Sequence, residues 1–94
     1  PSYLYKKPIR RMKDVGEYCP KDSRDWRAWL VANHQKEDAI WLIFYKKKSA
    51  KHNLSWSDSV DEALCFGWID SKKMGIDEER YKLVFSPREN LKLR

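Results

Sequence analysis

The stretch "AIWLIFY", Ala39 to Tyr45, decides the fold, because it is the longest apolar run in the chain. Its residues are mostly β-branched or aromatic, and charged residues flank it on both sides, as is typical of a strand. Successive side chains of a strand point to opposite faces, and both sets are apolar here. We therefore predict a central strand that is covered on both faces. The run is far too short to span a bilayer, so no membrane insertion is expected.

Two helices are predicted, one before and one after this strand. The Asp22 carboxylate can accept from the Asp25 backbone N–H and so cap a helix that ends near residues 33–36. Ser55 and Asp58 form an S-x-x-D box, a variant of the capping box, which opens the second helix. A stripe at helical spacing follows each cap, and we predict that both stripes pack on the sheet. The first stripe comprises Trp26, Trp29, Leu30 and Asn33, and the second comprises Trp56, Val60, Ala63, Leu64 and Gly67.

The stretch "ALCFGWID", Ala63 to Asp70, joins the second helix to a strand without a polar loop. Gly67 ends the apolar stripe at a point where a helix needs a residue that readily adopts the left-handed conformation. The next strand starts directly after this glycine. Because no charge appears before Asp70, we predict that the junction is buried and that Cys65 is a packed thiol.

A β-hairpin follows the junction. Its first strand covers about Trp68–Ile76, the polar residues Asp77–Arg80 form the turn, and the returning strand begins at Tyr81. The returning strand alternates with a period of two until Pro87 stops it. The element order α-β-α-β-β predicts an α+β domain with a small antiparallel three-stranded sheet and two helices.

The chain divides into three parts. A single α+β domain at residues 22–88 is preceded by an extended basic and aromatic arm at residues 1–21 and followed by a short basic tail at residues 89–94. Two helices can cover only one face of the sheet, so the second face of the central strand needs another cover. Either the arm packs over it in a monomer, or a second copy covers it in a homodimer. We expect the packed arm, and removal of residues 2–18 should then destabilise the domain.

The net charge of +6 is unevenly distributed. Residues 1–13 and 46–52 contain bases and no acids, and residues 88–94 contain three bases and one acid. This distribution is typical of solvated segments, but it also suits contact with an anionic partner. An alternative function is therefore a basic nucleic-acid-binding module, with the hairpin as the wing of a winged helix. Its binding residues would be Lys6, Lys7, Arg10, Arg11, Lys46, Lys47 and Lys48.

The sequence contains no catalytic constellation. Cys65 would need a nearby base, and no spacing ties His34 or His52 to it. Cys19 and Cys65 lack the C-x-x-C spacing of redox or metal sites, so we predict reduced thiols. Neither a metal site nor a cofactor motif is predicted, and enzymatic activity is not indicated.

Polar residues of the hairpin, with one tryptophan, are the candidate ligand-binding residues. They are Trp68, Asp70, Asp77, Arg80 and Arg88. Asp70 lies near the start of one strand and Arg88 follows the other, so antiparallel pairing should bring them together. The two residues either form a structural pair at the open end of the hairpin or line a pocket beside Trp68 for an anionic or peptide ligand.

Several phrases occur along the chain from about Asp22 to Arg88. They are "WRAWL" (Trp26–Leu30), "NH" (Asn33–His34), "WLIFYKK" (Trp41–Lys47), "EALCFGWIDS" (Glu62–Ser71), "IDEERY" (Ile76–Tyr81) and "FSPR" (Phe85–Arg88). In this order they resemble the YdeI/OmpD-associated family, also called bacteriocin-protection proteins. The resemblance implies tolerance of bacteriocins or cationic peptides in bacteria and association with an outer-membrane porin, and it implies no reaction.

The preferred prediction is a non-enzymatic binding or regulatory domain of the YdeI/OmpD-associated type, with an unidentified protein or peptide partner. No basic-then-apolar segment opens the sequence, so a cytoplasmic protein is expected. For the alternative, a nucleic-acid-binding module, the acids Asp58, Asp61 and Glu62 are unfavourable. They lie on the face of the second helix that would have to enter a DNA groove.

Overall fold

The computed structural model describes residues 15–88, which form two helices and four strands. In chain order the elements are β1 (Glu17–Tyr18), α1 (Ser23–Asn33), β2 (Ile40–Tyr45), α2 (Trp56–Leu64), β3 (Trp68–Gly75) and β4 (Arg80–Pro87). The α+β class is therefore confirmed. Both predicted helix caps are also present. The Asp25 N–H donates to Asp22 Oδ1 at 2.9 Å, and the Asp58 N–H donates to Ser55 Oγ at 3.1 Å.

The four strands form one mixed sheet in the order β1-β2-β4-β3. β2 pairs antiparallel with β4, which pairs antiparallel with β3, whereas β1 pairs parallel with β2, aligning Glu17 with Trp41. The prediction of a three-stranded antiparallel sheet is therefore wrong, because a fourth strand, β1, pairs parallel with β2. A strand of two residues is too short to show a period in sequence, and it forms because β2 offers it a free edge.

The main core lies between the helices and one face of the sheet. Ile40, Leu42 and Phe44 of β2 are buried there, together with Trp26 and Leu30 of α1. The Trp26 indole, which is fully buried, also donates from Nε1 to the Ser59 backbone oxygen of α2 at 3.0 Å. This bond links the two helices above the sheet and satisfies the one polar atom of the ring.

The second face of β2 is buried as well, as its two apolar faces predict. Trp41 is 3% exposed and clusters with Val84 of β4 and with Val15. Val15 belongs to the predicted arm, so the described end of the arm contributes to this cover. Residues 1–14, which make up the rest of the arm, lie outside the described residues. The choice between a packed arm and a homodimer therefore stays a prediction.

The junction between α2 and β3 is only partly as predicted. Gly67 has φ +76°, so the left-handed glycine is confirmed. The predicted burial is wrong, because Leu64 is 47% exposed and Cys65 is exposed too. The physical reason is the strand order: β3 is an edge strand, so the turn that leads into it lies at the rim of the sheet. Cys19 is likewise a free, exposed thiol.

Candidate functional site

The structure separates the predicted ligand-binding residues of the hairpin. Trp68 is 1% exposed and lies in the core, where its ring packs edge-on against Trp29 at 5.8 Å. The carboxylate of Asp70 accepts from the indole of Trp56 and makes no ion pair with Arg88 within residues 15–88. Asp70 lines a surface depression at its end of the hairpin.

Asp77 and Arg80 lie at the opposite end of the hairpin and form its turn. The Arg80 guanidinium donates to Asp77 Oδ2 from Nε at 3.0 Å and from Nη2 at 2.8 Å. These bonds hold the pKa of the Asp77 carboxyl below its usual range. The backbone N–H groups of Glu79 and Arg80 donate to the other carboxylate oxygen. Because all these bonds close the turn itself, we assign the pair a structural role.

Trp56 is the residue that the sequence placed wrongly. It was predicted to lie in the core stripe of α2, yet it is 53% exposed, whereas Ser59 is fully buried. Trp56 is the first residue of α2, and helical side chains lean toward the N-terminus of their helix. The indole therefore extends past the start of the helix and over the surface of the hairpin. Because Trp56 directly follows the capping Ser55, the sequence already indicated that it lies at the end of the helix and not in the middle of the stripe.

The Trp56 ring is held in place by β3. Its Nε1 donates to Asp70 Oδ2 at 3.3 Å, across a chain separation of 14 residues. A large aromatic side chain that is exposed but fixed in orientation can meet a ligand without first being ordered, which lowers the entropic cost of binding.

Two depressions, each of about 290 Å³, lie on either side of Trp56 and Tyr81, which line both. We call the two together the Trp56 groove. The first depression is completed by Asp70, Ser71, Lys72, Lys73 and Leu83. The second is completed by Tyr45, Lys46, Lys47, His52, Leu54 and Ser55. The groove is thus aromatic along its middle. Lys46 and Lys47 lie at one side and Lys73 lies at the other, whereas Lys72 is paired with Val84, so its side chain points to the opposite face of the sheet.

Tyr81 forms the floor of the groove beside Trp56. Its ring stacks on the buried Phe44 with centroids 4.9 Å apart and planes 2° apart. The Lys73 ammonium lies 4.6 Å from the centroid of the Tyr81 ring, a cation–π contact. Burial raises the pKa of the Tyr81 hydroxyl above its ordinary value. The tyrosine is therefore neutral at physiological pH and adds no negative charge to the groove.

The predicted nucleic-acid-binding residues fall into two groups. Lys46 and Lys47 line the groove, and together with Lys48 they also border a further depression beside Glu78 and Glu79, whose acids offset part of their charge. Lys6, Lys7, Arg10 and Arg11 lie outside the described residues. The remaining groove residues, Lys72, Lys73, Tyr45, His52 and Tyr81, were missed.

The groove contains no arrangement that indicates a reaction. Neither exposed thiol lines it, and burial raises the pKa of the Cys19 thiol, which disfavours the thiolate. Among residues 15–88, no group of three or more His, Cys, Asp or Glu side chains is placed to hold a metal ion. Neither helix in the same range has the length and apolar character that a membrane crossing requires.

Comparison with known proteins gives one match. The model of a family described as a domain of unknown function (DUF8412) matches residues 18–91, most of the chain. No curated protein and no solved structure matches.

Proposed function

Because the chain belongs to the DUF8412 family, whose function is unknown, we propose a function from the site: a non-enzymatic binding domain that holds an anionic ligand in the Trp56 groove. One observation carries this proposal. An exposed tryptophan, hydrogen-bonded to Asp70, lies between one depression that is bordered by Lys73 and another that is bordered by Lys46 and Lys47. Aromatic surface supplies contact area, and the lysines supply charge complementary to an anion.

The charge of the groove also bears on the YdeI/OmpD-associated resemblance and its implied role in peptide tolerance. Cationic peptides carry the same sign of charge as the groove lysines, so direct capture of such peptides there is unfavourable. We propose that a contribution of this domain to tolerance proceeds through an anionic partner. In a host that shows tolerance, loss of the groove lysines should then lower it in parallel with anion binding.

The proposal is tested with short-chain inorganic polyphosphate, a flexible polyanion without aromatic groups. Binding is measured by calorimetry for the unchanged protein, for Lys72→Ala/Lys73→Ala, and for Lys46→Ala/Lys47→Ala. Each pair should weaken binding, because the first removes the Lys73 charge from one side of the groove and the second removes two charges from the other. The control is Lys36→Ala, which removes an exposed lysine that precedes β2, whereas Lys46 follows it. Equal effects of Lys36→Ala and of either groove pair would contradict the proposal.

A further inference from the structure

The aromatic rings of the groove differ in what covers them. The Tyr81 ring is contacted by Lys73, and the Tyr45 ring has the Lys51 ammonium at 5.9 Å and the Arg80 guanidinium at 6.0 Å. For the Trp56 ring, the described part of the chain provides no stacked ring and no cation over either face. Its one polar contact is the in-plane bond from Nε1 to Asp70. Trp56 is therefore the flat surface that the groove leaves open to a ligand.

Lysines flank this open ring in both depressions of the groove. Lys73 stands on one side, and Lys46 and Lys47 stand on the other. The acid nearest the ring, Asp70, already accepts the indole hydrogen bond. A chain-like anion that crosses Trp56 would thus meet lysines on both sides of the ring.

We propose that the ligand of the Trp56 groove is a single strand of nucleic acid. One base stacks on the Trp56 indole, and the phosphates on its two sides contact Lys73 and the pair Lys46 and Lys47. This inference rests on the proposed anion-binding function and specifies its ligand class. Stacking on exposed aromatic side chains within a basic groove is the general way in which proteins bind single strands without sequence preference.

The groove fits other polyanions less well. An acidic peptide offers carboxylates to the lysines but no regular series of flat rings for Trp56. A duplex keeps its base faces stacked inside, so Trp56 could not use them. The exposed side of α2 next to the groove also carries Asp58 and Asp61, which would repel a DNA backbone laid along that helix.

The first test compares two strands that differ only in their bases. One is an oligothymidylate of about 12 nucleotides, a length within the common range for small single-strand-binding domains. The other is an abasic strand with the same number of phosphates. The oligothymidylate should bind about 5- to 150-fold more tightly, the range expected for stacking of one base. Equal affinities for the two strands would overturn the inference.

The second test uses Trp56 itself. Trp56→Leu removes the aromatic face at an exposed position, and it should abolish the preference for the oligothymidylate over the abasic strand. Trp56→Phe keeps an aromatic face and should retain most of the preference. An unchanged melting temperature in both variants establishes that the fold is intact. A preference that survives in Trp56→Leu would contradict the stacking role.

The remaining arms separate this inference from the proposed function. If polyphosphate, the abasic strand and the oligothymidylate bind equally through the groove lysines, anion binding stands and the base-stacking inference fails. If a poly-glutamate peptide binds more tightly than the oligothymidylate, the ligand is an acidic peptide and the inference also fails. If the lysine substitutions weaken the binding of none of these probes, the proposed function and the inference both fail. For the oligothymidylate, log K against log salt should fall with a slope of about −1.4 to −2.8, as two to four phosphate contacts require.

Discussion

The Trp56 indole nitrogen lies 3.3 Å from Oδ2 of Asp70, so a residue of β3 fixes the orientation of the first side chain of α2. The same carboxylate is a negative charge inside a groove that otherwise carries lysines. Asp70 therefore has two separable effects, one on the geometry of the ring and one on the charge of the site.

Substitution of Asp70 should separate these two effects. Asp70→Asn keeps an acceptor for the indole and removes the charge, so affinity for polyphosphate should rise about two- to fivefold with little change in ring orientation. Asp70→Ala removes both, so polyphosphate affinity should rise similarly while the preference for bases over an abasic strand declines. The measurements are the titrations described above, with the indole N–H resonance of Trp56 as a readout of orientation. Identical base preference in the two variants would show that the bond has no positioning role.

Asn53 should be among the most sensitive polar residues. Its Nδ2 donates to the backbone oxygens of Pro20 at 2.8 Å and Ile43 at 3.2 Å, and its Oδ1 accepts from the Tyr45 N–H at 2.9 Å. Asn53→Ala leaves these backbone groups without that partner and should lower the free energy of unfolding by about 2–3 kcal/mol. Urea unfolding measures this loss.

The matched control for Asn53 is Asn33→Ala. Asn33 donates a single hydrogen bond, from Nδ2 to the Trp29 backbone oxygen in the same helix. Its removal should cost only about 0.5–1 kcal/mol. Similar losses for the two variants would mean that the hydrogen bonds from Asn53 to β2 and to the segment before α1 add no more stability than the single bond of Asn33.

Gly67 and Gly75 form a second matched pair. A Cβ atom at either position would find no heavy atom within 4 Å, but only Gly67 has a positive φ, at +76°. Gly67→Ala should therefore lower the free energy of unfolding by about 1–2 kcal/mol through backbone strain alone. Gly75→Ala should change it by less than about 0.5 kcal/mol. Thermal or urea unfolding distinguishes the two, and equal stability would contradict the left-handed turn at Gly67.

Stability at alkaline pH should depend on Tyr18. Burial, with the hydrogen bond from its hydroxyl to Asp25 Oδ1 at 2.7 Å, raises the pKa of Tyr18 from 10.0 to about 12. The folded protein thus holds this proton to higher pH than the unfolded chain does. The contribution is complete below pH 10 and is lost as the pH rises from 10 toward 12.

The variant Tyr18→Phe tests this dependence by urea unfolding on either side of pH 10. Because Phe cannot ionise, the variant should lose less stability than the unchanged protein as the pH rises. Tyr81 remains in both proteins, and its raised pKa contributes in the same direction. Parallel decline of the two proteins would contradict the prediction.

Local sequence signals predicted most of the fold. The caps at Asp22 and Ser55 and the glycine at Gly67 act through bonds or angles within a few residues, so the sequence predicts them directly. β1 could not be predicted, because Glu17 and Tyr18 become a strand only when the edge of β2 is beside them. The same reason applies to the junction at Cys65, whose exposure depends on where β3 lies in the sheet.

The site was less accessible to prediction than the fold. Helical spacing places Trp56 on one stripe with Val60 and Ala63, but it does not predict that Ser59 is buried in the first turn while the Trp56 ring stays 53% exposed. Asp70 was chosen for its position in the hairpin, yet its partner Trp56 lies on a different element. Lys72 and Lys73 became groove residues only through the packing of α2 beside β3.

The two edges of β2 have a consequence for hydrogen exchange. Successive amides of a strand point to opposite neighbours, so those of Trp41 and Tyr45 donate to Gly16 and to the Asn53 side chain, respectively. The amides of Leu42 and Phe44 face β4, the longer partner, whereas the Ile43 amide faces the same edge as those of Trp41 and Tyr45. Release of the two-residue β1 would free the Trp41 amide while the β4-facing amides stay closed. Neighbouring residues of one strand should therefore exchange at different rates, and the difference reports the free energy that binds β1 to the sheet.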